Sequence, residues 1–120
     1  MRTPKVKPPL EKIVQYAICE YLKFHNYFFW RSNNIPVFGM NNGGKRTFRT
    51  LPKYTPRGIP DIIMVRKGKF IGIEVKRLGA KMREEQTVFR QNILENGGNY
   101  ILAYDVADVV RELNDIENQL

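Results

Sequence analysis

Two carboxylates and a lysine stand in an otherwise apolar stretch: Asp61 closes Gly58-Ile59-Pro60-Asp61, and Glu74 and Lys76 lie in Ile73-Glu74-Val75-Lys76. Between them run two short apolar segments, Ile62 to Val65 and Phe70 to Ile73, parted by Lys67-Gly68-Lys69. That pattern predicts two strands and a tight turn. A hairpin brings Asp61, at the start of the first strand, to Glu74, near the end of the second, with Lys76 two residues on. Carboxylates are hard oxygen donors of the kind magnesium or manganese takes, with several waters kept on the ion. Such an ion polarises a phosphate oxygen and lowers the pKa of a bound water. A lysine beside it can orient that water or offset charge growing on the phosphate. Chance also produces Pro-Asp and Glu-X-Lys readily. Asp61 can equally cap a turn, and Glu74 with Lys76 can be a same-face pair at a strand edge.

The elements around the hairpin must supply the rest. Pro8 and Pro9 suit the start of a helix running from Leu10 to about His25, where Ile13, Val14, Ala17, Ile18, Tyr21 and Leu22 recur at helical spacing. Glu11, Gln15, Ile18 and Leu22 share one stripe of it, so Glu11 either meets a partner or stays solvated and complements the helix dipole. Tyr27 to Arg31 is predicted as a strand. Residues 35–57 then form a long segment that carries Lys45, Arg46, Arg49, Lys53 and Arg57 and no acid, interleaved with Phe38, Phe48 and Tyr54. Cations for phosphates and rings for exposed bases suit nucleic acid, and Arg31 joins this set. A solvated loop, or a short hairpin around Gly43-Gly44 with Phe48 in a satellite core, accounts for the same residues.

Downstream, a helix from about Lys81 to Glu95 closes at Asn96-Gly97-Gly98, in the manner of a glycine cap. Gln86, Phe89, Ile93 and Gly97 share a stripe, so Gln86 faces the sheet near the end of the strand bearing Glu74 and Lys76. Tyr100 to Tyr104 is a further strand. Asp105 is placed to cap a last helix that docks Val106, Val109, Val110, Leu113 and Ile116 on the core. The expected fold is α/β, in the order α-β-β-β-α-β-α, with a mixed four-stranded sheet flanked by helices. It forms a single domain over residues 1–120, with residues 1–9 loosely ordered.

The formal net charge is +8, and it is unevenly spread: residues 1–60 hold eleven Lys/Arg against two acids, residues 61–120 nine against ten. A basic half attracts polyanions, nucleic acid foremost, although solubility alone explains a basic chain as well. Cys19 is the only cysteine, which excludes an internal disulfide and a Cys-based zinc cluster. No apolar run approaches the ~20 residues of a membrane span. An intracellular, reducing compartment is expected, with no membrane and no small-molecule cofactor. His25, the only histidine, is read as an exposed helix-end residue.

At Gly58-Ile59-Pro60-Asp61, Glu74-Val75-Lys76 and Gln86 the chain resembles the PD-(D/E)XK nucleases, and within them the VRR-NUC branch of virus-type replication and repair nucleases. The resemblance covers nearly the whole chain; the ordered set is more specific than any motif singly. It implies a restriction-endonuclease-like core and hydrolysis of DNA phosphodiester bonds with Mg2+ or Mn2+. By position, Glu11 matches the acid of the first helix, Asp61 and Glu74 the central metal ligands, Lys76 the signature lysine, and Gln86 the glutamine of the following helix. The main-chain carbonyl of Val75 is expected to complete the ion's shell. The absence of attached domains points to the stand-alone phage or bacterial type, whose members resemble Holliday-junction resolvases in acting as homodimers on branched DNA. The alternative is a nucleic-acid-binding module of the same fold without cleavage. A purely structural partner-binding domain leaves the charge asymmetry unexplained.

Overall fold

The structure, a computed structural model, describes residues 7–32, 38–40, 46–48 and 52–120. The elements follow as helix α1 (Glu11–Phe24), strands β1 (Phe28–Arg31), β2 (Phe38–Met40), β3 (Arg46–Phe48), β4 (Ile62–Arg66) and β5 (Lys69–Val75), helix α2 (Glu84–Glu95), strand β6 (Asn99–Ala103) and helix α3 (Val106–Asn118). Four strands form one sheet in the order β1-β4-β5-β6. β1 runs antiparallel to β4 and β4 to β5, whereas β5 and β6 are parallel, joined by the crossover through α2. This is the α/β fold with a mixed four-stranded sheet and three flanking helices that the periodicity predicted. β2 and β3 add a small antiparallel pair inside 35–57, pairing Phe38 with Phe48. The short hairpin weighed for that segment is therefore present. The Gly43-Gly44 turn, Lys45 and Arg49 lie outside the described residues, as do residues 1–6 of the expected loose N-terminus.

Local chemistry sets the ends of these elements. α1 stops where Asn26 turns left-handed (φ 59), with Asn26 N–H donating to Lys23 O and Tyr27 N–H to Leu22 O. Asparagine tolerates that conformation, and the paired bonds satisfy carbonyls the last turn leaves free. α2 ends the same way at Gly97 (φ 81), with Gly98 N–H on Ile93 O. α3 begins at Asp105, whose carboxylate accepts from Asp108 N–H at 2.9 Å. α2 starts at Glu84 and not near Lys81, because the Gln86 side chain accepts from Arg83 N–H and caps the helix there. The β4–β5 turn is the two-residue Lys67-Gly68, both at positive φ, which matches the twist of the strands it joins.

Strand alternation then sorts the sheet into two faces. On one, Ile62 and Met64 of β4, Ile71, Ile73 and Val75 of β5, and Ile101 and Ala103 of β6 pack against Val14, Ile18 and Leu22 of α1 and Val109, Leu113 and Ile116 of α3. The other face carries α2 over the β5 and β6 side. The unbroken apolar run Ile62 to Val65 suits a strand covered on both faces, but full cover falls on β5, which is buried from Ile71 to its end at Val75. Ile63 and Val65 of β4 are only half-buried, because α2 does not reach that far across the sheet. Among the described residues no helix is long and apolar enough to cross a membrane.

Candidate active site on the second face of the sheet

The β4–β5 register pairs Ile62 with Ile73, which sets Asp61 opposite Glu74 one step beyond the ladder. Asp61 Oδ2 accepts from Val75 N–H at 2.8 Å. One carboxylate oxygen is thus held against the Val75 peptide, and the group is turned toward Glu74. Upstream, Asp61 is anchored by its own carbonyl, which accepts from Ser32 N–H at 2.9 Å, and Ser32 Oγ donates to Pro60 O. Pro60 itself is buried, with its ring over Gly72: a Cβ at Gly72 would meet Pro60 Cγ at 2.7 Å. The hairpin does bring the two acids together.

Glu74 is 2 % exposed and Gln86 3 %. Gln86 Nε2 donates to Glu74 Oε1 at 2.9 Å, while Gln86 Oε1 takes the Arg83 N–H. One side chain therefore both caps α2 and positions the buried acid. The chain preceding Asp61 sets the height of that helix. Gly58 has φ 78, and a Cβ there would lie 2.2 Å from Glu85 O and 2.7 Å from Gln86 N. Only glycine fits, both for its left-handed backbone and for this close approach. Gly58→Ala should lower stability by about 1–3 kcal/mol and push Gln86 off Glu74. The checks are the urea midpoint and loss of the Gln86 side-chain amide's protected signal in NMR.

Burial and the adjacent Asp61 charge push the Glu74 carboxyl up to about 8 from its ordinary 4.5. Burial also raises Asp61, against the lowering pull of the Val75 N–H. The positive charge of Lys76, itself buried at 9 % exposure, lowers both. Among the described residues Lys76 makes no ion pair within 4.0 Å, so it sits beside the acids without neutralising either. Lys76 N–H extends the sheet by donating to Ala103 O at 3.0 Å.

Glu11 reaches the same end of β5 from α1. Its Oε1 accepts from Arg77 N–H at 3.1 Å, and its charge contributes to raising Asp61. It is exposed but not unpartnered, so the solvated dipole role is only part of its behaviour. Among the described residues no three carboxylate, histidine or cysteine groups converge tightly enough as they stand to hold a metal ion. The chemistry of the donors nevertheless fits a hard divalent cation. Two ionised acids, Glu74 buried and Asp61 half-buried, repel one another, and among the described residues Glu74 Oε2 is buried with no hydrogen-bond partner. An orphaned carboxylate oxygen at such a site is costly unless a cation or proton meets it. Asp61 and Glu74 are the residues able to bind it, with the Val75 peptide alongside and Glu11 at the rim.

The expected nucleic-acid contacts are less unified. Arg31 pairs with Ile62 and so lies on the α1 face, opposite the acids; its Nε donates to Gln15 Oε1 at 2.8 Å and its guanidinium lies over Tyr16. Arg57 lines a cleft of about 360 Å³ with Pro56, Glu84, Glu85, Val88, Phe89 and Asn92, sharing it with two acids. Lys53 lies over the ring of exposed Tyr54. Arg46 stands on β3. If Lys53 and Arg57 contact phosphates, replacing both by alanine should reduce the slope of log affinity against log salt by about one unit per lost contact. An unchanged slope would return them to solvent.

Two participants escaped the sequence reading. Gly58 belongs to the Gly-Ile-Pro-Asp motif, but its role as the seat of α2 comes from a close backbone approach that glycine alone permits. Tyr100 is the other. Among the described residues its hydroxyl is buried without a partner, and burial together with the Glu74 and Asp61 charges pushes its pKa up. The parallel β5–β6 register sets Tyr100 beside Gly72 on the face of Glu74, a pairing no local pattern encodes. His25 is an exposed C-cap of α1, as expected, and Cys19 is a half-buried free thiol packed against the core. Compared with models of protein families, with curated proteins and with solved structures, the chain matches none.

Proposed function

We propose that this protein is a divalent-metal-dependent endonuclease of the PD-(D/E)XK kind that hydrolyses phosphodiester bonds in DNA. Its main support is the half-buried Asp61 set against the buried Glu74, whose second oxygen is orphaned among the described residues, with the buried Lys76 beside them in no ion pair. Buried titratable groups with strongly displaced pKa values gather at functional sites more often than in plain cores. Asp61 and Glu74 would hold magnesium or manganese, which when bound polarises a phosphate oxygen and lowers the pKa of a coordinated water. Lys76 supplies a positive charge and three N–H donors where negative charge grows on the phosphate. Gln86 holds Glu74 in place and so acts as a positioning residue. Glu11 fixes the Arg77 peptide at the end of β5. The basic excess of residues 1–60 favours a polyanionic substrate, and a homodimer acting on branched DNA is the form implied by the resemblance to VRR-NUC nucleases.

Labelled linear duplex, single strand, flap and four-way junction incubated with Mg2+, Mn2+ or EDTA provide the test. Cutting of at least one substrate with either metal, and none in EDTA, is the expected result. Binding without cutting under every metal condition would instead favour a non-catalytic nucleic-acid-binding module of the same fold.

A further inference from the structure

We infer that Phe28 and Trp30 on the outer strand of the sheet form a stacking platform for unpaired nucleobases beside the acidic site. Among the described residues β1 has a neighbour on one side only, which makes it an edge strand. Its residues alternate, and Phe28 and Trp30 point to the face that carries Asp61, Glu74 and Lys76, since they pair with Val65 and Ile63. Phe28 is 68 % exposed and Trp30 43 %. Their ring centroids are 5.7 Å apart at an interplanar angle of 54°. Two large rings left open on one face are not accounted for by the core, which lies on the opposite side.

Strand geometry sets the distance to the site. Two residues along a strand and one strand across separate Trp30 from Asp61 by about 8 Å. A strand stacked there therefore has a phosphate within a few nucleotides of the acids. Charge chooses the occupant. No acid stands between Glu20 and Asp61, while six Lys/Arg do besides Arg31, which turns to the α1 face, and both rings lie in that span. A polyanion that also offers flat π-faces matches both features, and only unpaired nucleotides expose those faces. The face therefore selects single strands, overhangs or flaps over blunt duplex. The inference rests on the nuclease reading only for the statement that the bound strand leads to a cleavage site; the ring contact stands apart from it.

Trp30 is the sole tryptophan, so its emission reports the contact directly. In EDTA, oligodeoxythymidylate, oligouridylate and a blunt duplex of equal length are titrated into the full chain. Saturable quenching is expected from the single strands, with the duplex needing at least about tenfold higher concentration. Quenching by one single-stranded oligonucleotide alone also supports the platform and identifies the sugar it accepts. Trp30→Val should weaken single-strand binding about tenfold or more by anisotropy, and Trp30→Phe, which keeps a ring, should recover most of the loss. Single-strand binding without quenching, equal quenching by duplex, or unchanged affinity in Trp30→Val overturns the inference. So does loss of a concentration-dependent dimer in Trp30→Val with oligonucleotide affinity unchanged, which would assign the rings to a second copy. If Trp30→Val does not fold by circular dichroism, the wild-type titration and Trp30→Phe decide. Quenching without cutting on any substrate sinks the nuclease reading and leaves the platform; cutting without quenching does the reverse.

Discussion

Asp61→Asn is expected to remove nuclease activity by about three orders of magnitude while making the metal-free protein more stable. The two effects share one cause. Asn keeps an oxygen that can accept the Val75 N–H, which Asp61 now takes at 2.8 Å, so the backbone around the site keeps its anchor. What disappears is a half-buried negative charge beside the buried Glu74. On the proposed reading that charge is one of the two central carboxylates that would hold the cation. Several kcal/mol of transition-state stabilisation depend on it, and each 1.36 kcal/mol is tenfold in rate. Without a cation the same charge is disfavoured by burial, and it repels Glu74 wherever that group is ionised. Its removal should raise stability on the order of 1 kcal/mol, the scale of one pKa unit, or a few degrees in Tm. Single-turnover cleavage in Mg2+ and thermal melting in EDTA measure the two sides. Residual cutting within about tenfold of wild type would sink the proposed role; a lower melting temperature would mean that Asp61 is chiefly a structural cap.

The second large effect is a fall in stability with rising pH in the absence of metal. Glu74 is pushed up to about 8 by burial and by Asp61, against 4.5 ordinarily. Between those values the folded protein keeps a proton that the unfolded chain has released. The folded state then binds more protons than the unfolded one, so stability must drop as pH rises. Glu74's contribution is intact below about 4.5 and lost by the time pH passes about 8. The raised Asp61 carboxyl acts in the same direction. A decline on the order of a few kcal/mol across the window is expected in chemical denaturation with EDTA. Glu74→Gln should flatten it, since a neutral amide does not titrate. Mg2+ or Mn2+ should offset the decline most at the alkaline end, where the carboxylates are free to bind. A flat wild-type profile in EDTA would show that the pair is more hydrated than its burial implies. A decline that neither metal reverses would argue against a cation between the two acids.

How far these residues could be read in advance depends on how local their determinants are. The Asp61–Glu74 encounter was legible as a meeting of strand ends, because a tight turn at Lys67-Gly68-Lys69 folds the two strands back on each other. The exact register was not: the turn is the two-residue Lys67-Gly68, and this sets Asp61 opposite Glu74. The glycine stop of α2 at Gly97 and the Asp105 cap of α3 were legible for the same reason, since each satisfies orphan groups within one turn. Gln86 was placed on the right face by helical spacing. That it would hold Glu74 and the Arg83 N–H at once was not, because the spacing says nothing of how close the helix lies.

Arg31 shows the opposite case. Charge and position near a basic segment made it a nucleic-acid contact, but pairing of Arg31 with Ile62 turns it to Gln15 and Tyr16 on α1. A strand's side chains alternate between its two faces at every residue, so a single step of register decides which partner an arginine meets. That step belongs to the β1–β4 pairing, which joins residues about thirty positions apart.

The sequence by itself determined the order of elements, their caps, the mixed sheet and the meeting of Asp61 with Glu74, because these follow from periodicity, turn chemistry and short-range hydrogen bonds. Only the tertiary structure decided the depth at which that pair is buried, the orphaned Glu74 oxygen, the seat of α2 against Gly58 and the open face beside Trp30. Those are properties of packing between distant segments. They depend on how closely helix and sheet approach, a distance set by side chains meeting across the fold and by the missing Cβ of Gly58.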